Sequence, residues 1–168
     1  MAISDVYTAR SGAFSTGASL TTAQPFLSLI SPATKRAWVV GIRVDVGVTL
    51  AAAGNTLLFQ LCRGITSNTA TGLATVASGH DFSAPASLSS FATTWSTAPV
   101  VPSAAGAILW EQELPQTTGS SWEEFPPSGY EWQVPAIATG SANSGVHVFV
   151  TQSVATATPV YADLIFSE

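Results

Sequence analysis

Residues 36–50 alternate almost without a break. Trp38, Val40, Ile42, Val44, Val46 and Val48 fall on one side, and Val39, Gly41, Arg43, Asp45, Gly47 and Thr49 on the other. A period of two is that of a β-strand with one buried face. Every position on the first side after Trp38 is β-branched, a side-chain type that packs well on a pleated sheet. Residues 57–63 repeat the pattern, with Leu57, Phe59 and Leu61 against Leu58, Gln60 and Cys62. Between the runs, Ala51-Ala52-Ala53-Gly54-Asn55 reads as a short connection whose Gly and Asn tolerate positive φ. The pattern predicts that the two runs pair as antiparallel strands laid against a second sheet.

The rest of the chain reads as further short strands. Residues 3–10 alternate, with Ile3, Asp5, Tyr7 and Ala9 opposite Ser4, Val6, Thr8 and Arg10. Residues 11–24 have no clear period and hold two large apolar side chains, Phe14 and Leu20. They read as an extended arm, so residues 1–24 are expected to form a strand and arm preceding a single sandwich domain at 25–168. Strands are also expected at 26–30, 73–76, 91–95, 107–115, 122–125, 130–134, 145–152 and 159–166. Pro126-Pro127-Ser128-Gly129 is a strong turn signal. In residues 145–152 the alternation predicts Val146, Val148 and Val150 inward and His147 outward. About eight to ten short strands with no amphipathic helix predict an all-β fold, an antiparallel two-sheet sandwich of jelly-roll-like form.

Composition changes the picture more than any motif does. Of 168 residues 46% are hydrophobic, enough for a core, yet only 9% are charged, against about 25% in ordinary soluble proteins. Ser, Thr, Ala and Gly fill the difference. A weakly charged exterior suits a protein that works assembled with others. The five basic residues, Arg10, Lys35, Arg36, Arg43 and Arg63, and a net charge of −5 are too few cations for a nucleic-acid or anionic-membrane surface. No run of 18 apolar residues appears, and the first residues lack the basic and apolar stretches of a secretory signal. One cysteine, Cys62, excludes an internal disulfide framework. A β-domain of extracellular style without export signal or disulfides fits a viral structural protein, made in the host cytoplasm and used outside it.

Three groups carry candidate chemistry. His80-Asp81 is the first place to look for a catalytic base, but adjacent residues of an extended chain point apart, and no Gly-X-Ser-X-Gly elbow supplies a nucleophile. Glu111 and Glu113 share a strand face about 7 Å apart, with Glu123, Glu124 and Glu131 near them in sequence. Paired carboxylates serve glycosidases or bind Ca²⁺. A solvated acidic strip that discourages wrong edge pairing is the reading to prefer. Trp110, Trp122, Phe125, Tyr130 and Trp132 cluster in sequence and offer either core or exposed rings for a glycan or a protein interface.

The segments 38–44, 58–63, 94–99, 125–129 and the terminal Tyr161-Ala162-Asp163-Leu164-Ile165-Phe166-Ser167-Glu168 resemble the small all-β decoration, or cement, proteins of tailed bacteriophages. The likeness runs from Trp38 onward and is one of strands and turns. It implies a structural virion protein on the outside of an icosahedral head, often trimeric, bound to the major capsid protein and bridging its subunits against internal DNA pressure. It implies no catalysis and no cofactor. Ile3, Tyr7, Arg10, Phe14 and Leu20 of the N-terminal strand and arm are expected to contact the capsid or a neighbouring copy, with Trp122 and Tyr130 as further contacts. The alternative is a receptor- or carbohydrate-binding module of a tail or head fibre, using exposed Trp122, Tyr130 or Trp132.

Overall fold

The computed structural model describes residues 5–16, 23–32, 35–49, 54–63, 69–76, 79, 85–101, 107–134, 145–152 and 156–168. Their regular structure is all β, in fourteen strands. Seven have five or more residues: β1 (Val6–Arg10), β3 (Gln24–Ile30), β4 (Ala37–Val46), β5 (Thr56–Arg63), β10 (Ile108–Pro115), β13 (Val146–Gln152) and β14 (Thr158–Ser167). The other seven are two to four residues long and raise the total above the expected eight to ten: β2 (Phe14–Thr16), β6 (Thr69–Thr71), β7 (Ala74–Thr75), β8 (Ser90–Ala92), β9 (Thr94–Thr97), β11 (Ser121–Glu124) and β12 (Trp132–Val134).

Two six-stranded antiparallel sheets form the sandwich. Sheet A has the order β1-β14-β4-β11, with β12 also pairing β4 and β2 also pairing β14. Its two ten-residue strands lie side by side at the centre, and two short strands placed end to end cover the outer edge of each. Sheet B has the order β10-β5-β13-β3-β8-β7, and β6 and β9 make a separate two-stranded sheet. Among the described strands, only β7 and β8 are both neighbours in the chain and partners in a sheet.

This connectivity corrects the expected pairing of the two opening runs. β4 belongs to sheet A and β5 to sheet B, so the two runs sit in opposite sheets and do not pair as a hairpin. Their apolar faces meet across the core, Ile42, Val44 and Val46 from one side and Leu57, Phe59 and Leu61 from the other. Tyr7, Ala9, Leu164 and Phe166 add to the first side, and Leu27, Leu29, Val146, Val148 and Val150 to the second. Phe26 bridges them, stacked on Phe14 at 5.5 Å and edge-on to Phe59 at 6.2 Å between ring centroids.

The alternation in β4 is also interrupted. Ile165 pairs with Gly41 and Phe166 with Val39, so Val40 is an extra residue, a β-bulge that shifts the phase of the strand. Ala37 and Val39 face the core before the bulge, and Ile42, Val44 and Val46 after it. Trp38, expected on the buried side, therefore lies outside at 37% exposure. Val48, beyond the strand, is exposed as well.

Both ends of the sandwich are tied. At one end the Glu168 carboxylate accepts hydrogen bonds from the Leu88 and Ser89 amides at 2.9 and 2.5 Å, and the Tyr7 hydroxyl donates to the Pro85 carbonyl at 3.1 Å. At the other, the buried Gln116 amide donates to Thr158 Oγ1 at 2.6 Å and to the Thr156 carbonyl at 3.0 Å, while Thr16 Oγ1 accepts from the Thr158 amide. Where β13 begins, a Cβ on Gly145 would run into the Leu29 carbonyl. A backbone atom inside a sheet cannot swing aside, so Gly145→Ala is expected to cost about 1–3 kcal/mol, the usual range for overpacking. Urea denaturation measures it, and an unchanged midpoint would mean that β3 and β13 separate freely.

Candidate functional site

The outer face of sheet A is built from residues that the register sets in rows. Directly opposed residues of antiparallel strands point the same way, with Cβ atoms about 4.5–5.5 Å apart. One row runs Gln133, Trp38, Ser167, Val6. The next runs Gly41, Ile165, Thr8. The Phe125 ring fills the space over Gly41, since a Cβ there would lie 2.6 Å from Phe125 Cε1. A third row runs Glu123, Arg43, Asp163, Arg10 across four strands. A fourth holds Ser121, Asp45 and Tyr161.

The third row alternates in charge: acid, base, acid, base. Arg10 grips Asp163 with two bonds, Nε to Oδ1 at 2.7 Å and Nη2 to Oδ2 at 2.8 Å. That hydrogen-bonded pairing, then the carboxylate's charge, holds the Arg10 guanidinium above its usual pKa. Arg43 turns along its own strand to Asp45, Nε to Oδ2 at 3.0 Å. Both arginines are largely exposed, so these pairs orient side chains and add little stability. Trp38, Phe125 and Tyr161 stand exposed around the charged row.

The residues expected to make contacts divide. Ile3 and Leu20 lie outside the described residues. Tyr7 is a core residue and offers no contact surface: it is 2% exposed and stacks on Phe166 at 5.4 Å. Phe14 is half-buried against the core on Phe26. β1 is the strand expected within residues 3–10, and β2, paired with β14, makes residues 14–16 part of sheet A where an extended arm was expected. Arg10 is exposed, in the charged row. Trp122 is 42% exposed, its Nε1 donating to Glu124 at 3.3 Å, and Tyr130 is 76% exposed in the turn that follows β11. Trp110 and Trp132 pack against the core.

Of the carboxylates, Glu111 and Glu113 are exposed on β10 of sheet B, and Glu123 and Glu124 lie on β11 of sheet A. Gln60 Nε2 donates to Glu111 at 3.3 Å. Among the described residues no group of three or more His, Cys, Asp or Glu is placed to hold a metal ion. His80 and Asp81 lie outside the described residues.

His147 corrects the alternation reading. It is 1% exposed, opposed by Cys62 on β5 and Ser28 on β3, both also buried. The second face of sheet B is therefore withdrawn from solvent here, and an outward side chain is not a wet one. Ser28 Oγ and His147 Nδ1 are 2.5 Å apart. Burial pushes the imidazole pKa down to about 4 and, with a smaller contribution from Glu111, the Cys62 thiol up to about 11. A hydroxyl beside an imidazole is also the start of a nucleophile–base pair. Both groups are buried, and the bond joins β3 to β13.

The fold defines an antiparallel β-sandwich with an exposed aromatic and charged sheet face. Compared with protein-family models, curated proteins and solved structures, the chain matches none.

Proposed function

We propose that this chain is a structural virion protein of the decoration type, bound in many copies to the outside of a bacteriophage head and bridging major capsid subunits. The observation that carries the reading is the surface. Ten large apolar side chains are exposed among the described residues, including Trp38, Val48, Leu88, Trp122, Phe125 and Tyr130, on a chain with only fifteen charged residues, five basic and ten acidic. A surface so apolar and so weakly charged suits a protein that spends its life covered by neighbours. Modest contacts repeated over a lattice give avidity without any one strong interface. The reading includes a jelly-roll-like path of the chain and no catalytic role.

The test is the copy number of the chain in purified particles of its source virus, by quantitative mass spectrometry against the major capsid protein. Hundreds of copies in simple ratio to the capsid protein are expected. A handful would move the chain to a tail or fibre, and absence would sink the proposal. The exposure of Trp122 and Tyr130 favours a second reading, a glycan-binding module. Glycan-array binding that disappears in Trp122→Ala would establish it in place of the first.

A further inference from the structure

We infer that the outer face of sheet A is a self-complementary docking surface for a second copy of this chain. The inference stands apart from the decoration reading, since it concerns only what this face fits.

The charged row decides the occupant. Glu123, Arg43, Asp163 and Arg10 alternate in sign across β11, β4, β14 and β1. Consider two copies face to face, related by a two-fold axis parallel to the strands and midway between β4 and β14. The rotation reverses the order of each row and keeps its height along the strands. Glu123 then faces Arg10 of the second copy, and Arg43 faces Asp163. Each position of the row then faces one of opposite sign, with Asp163 already gripped by Arg10 of its own copy and Arg43 by Asp45. An axis parallel to the row would set each charge against itself, so the row selects one two-fold and rejects the other. Charges arranged this way fix orientation more than they add affinity.

The flanking rows obey the same rotation. Trp38, the largest side chain of its row, faces Ser167 of the second copy, and Asp45 faces Tyr161, a carboxylate against a phenol. The apolar end of the face, with Trp38, Phe125 and Ile165, meets the apolar end of the other. Strands of the two copies run nearly parallel to one another, as aligned sheet packing requires. Four strands at about 4.8 Å spacing and eight residues at about 3.3 Å give a footprint of roughly 500 Å² per copy. The total of roughly 1,000 Å² sits at the lower limit of a specific interface, so the dimer is weak and concentration-dependent.

Sedimentation velocity of the full chain from about 1 to several hundred micromolar tests this. A monomer–dimer equilibrium that tightens at low salt is expected. Glu123→Arg, at an exposed position, sets Arg against Arg10 of the second copy and is expected to weaken dimerisation at least tenfold. A monomer throughout, a trimer of the kind the family resemblance implies, or a dimer untouched by Glu123→Arg would overturn the inference. Cysteine pairing checks the axis independently of charge. Glu123→Cys mixed with Arg10→Cys is expected to form a disulfide-linked heterodimer under mild oxidation, while neither variant links to itself. Self-linking of Glu123→Cys, or no linking in the mixture, would overturn the axis.

Discussion

Replacing Tyr7 by alanine is expected to lower folding stability by about 3–5 kcal/mol, the usual loss for a large aromatic ring removed from a packed core. The ring stacks on Phe166 and is buried at 2% exposure, and the hydroxyl donates to the Pro85 carbonyl. Tyr7→Phe keeps the ring and removes the hydrogen bond, so it is expected to cost only about 1 kcal/mol. Chemical denaturation of the two variants beside the parent separates ring from hydroxyl. A Tyr7→Ala protein as stable as the parent would mean that β1 adds nothing to the core. The same burial predicts that removing residues 1–16 abolishes cooperative unfolding, because the edge of β14 loses both β1 and β2. Deleting the first strands is thus no clean assay of partner binding, and exposed positions such as Arg10 and Trp122 are the ones to vary.

Acid is expected to destabilise the fold through His147. The ring titrates near 6.5 in the unfolded chain and near 4 in the folded one, where burial opposes its charging. Above pH 6.5 both states hold it neutral and this contribution to stability is complete. As pH falls below 6.5 the unfolded chain takes up the proton first, and stability is lost until the folded ring also charges near pH 4. The difference corresponds to roughly 3 kcal/mol across that window. Urea midpoints at pH 7, 5.5 and 4.5 measure it. His147→Gln removes the titrating group and is expected to flatten the profile between pH 6.5 and 4, whatever it costs at neutral pH. An equally steep profile in the variant would assign the acid sensitivity to other groups.

Much of the fold was legible in the chain. The period-two runs mark β4, β5, β13 and β14, and Val160, Ala162, Leu164 and Phe166 face the core as their spacing requires. What failed did so for identifiable reasons. The bulge at Val40 hides inside an unbroken alternation, because Val39 and Val40 are both apolar and either phase reads as a strand. β4 and β5 look like a hairpin because a short connection can turn back or cross over, and only the packing of two sheets decides which. His147 looked wet because a polar residue opposite apolar ones usually is, and a sheet buried on both faces breaks that rule. The charged row was invisible, since its members at 10, 43, 123 and 163 become neighbours only through three separate strand pairings.

The position of β14 has a consequence for how the protein is made. It pairs with β1, β2 and β4 and runs between β1 and β4, yet it follows all the other described strands in the chain and is made after them. Until β14 has been made, β1 and β4 have no strand between them, and of sheet A only β11 and β12 can pair with β4. Completion of sheet A therefore waits until β14 has been made, and the nascent chain carries open strand edges until then. So many pairings distant in sequence also make the final search slow. Yield at high expression rates should accordingly depend on lowered temperature or chaperone supply more than on the stability of the finished protein.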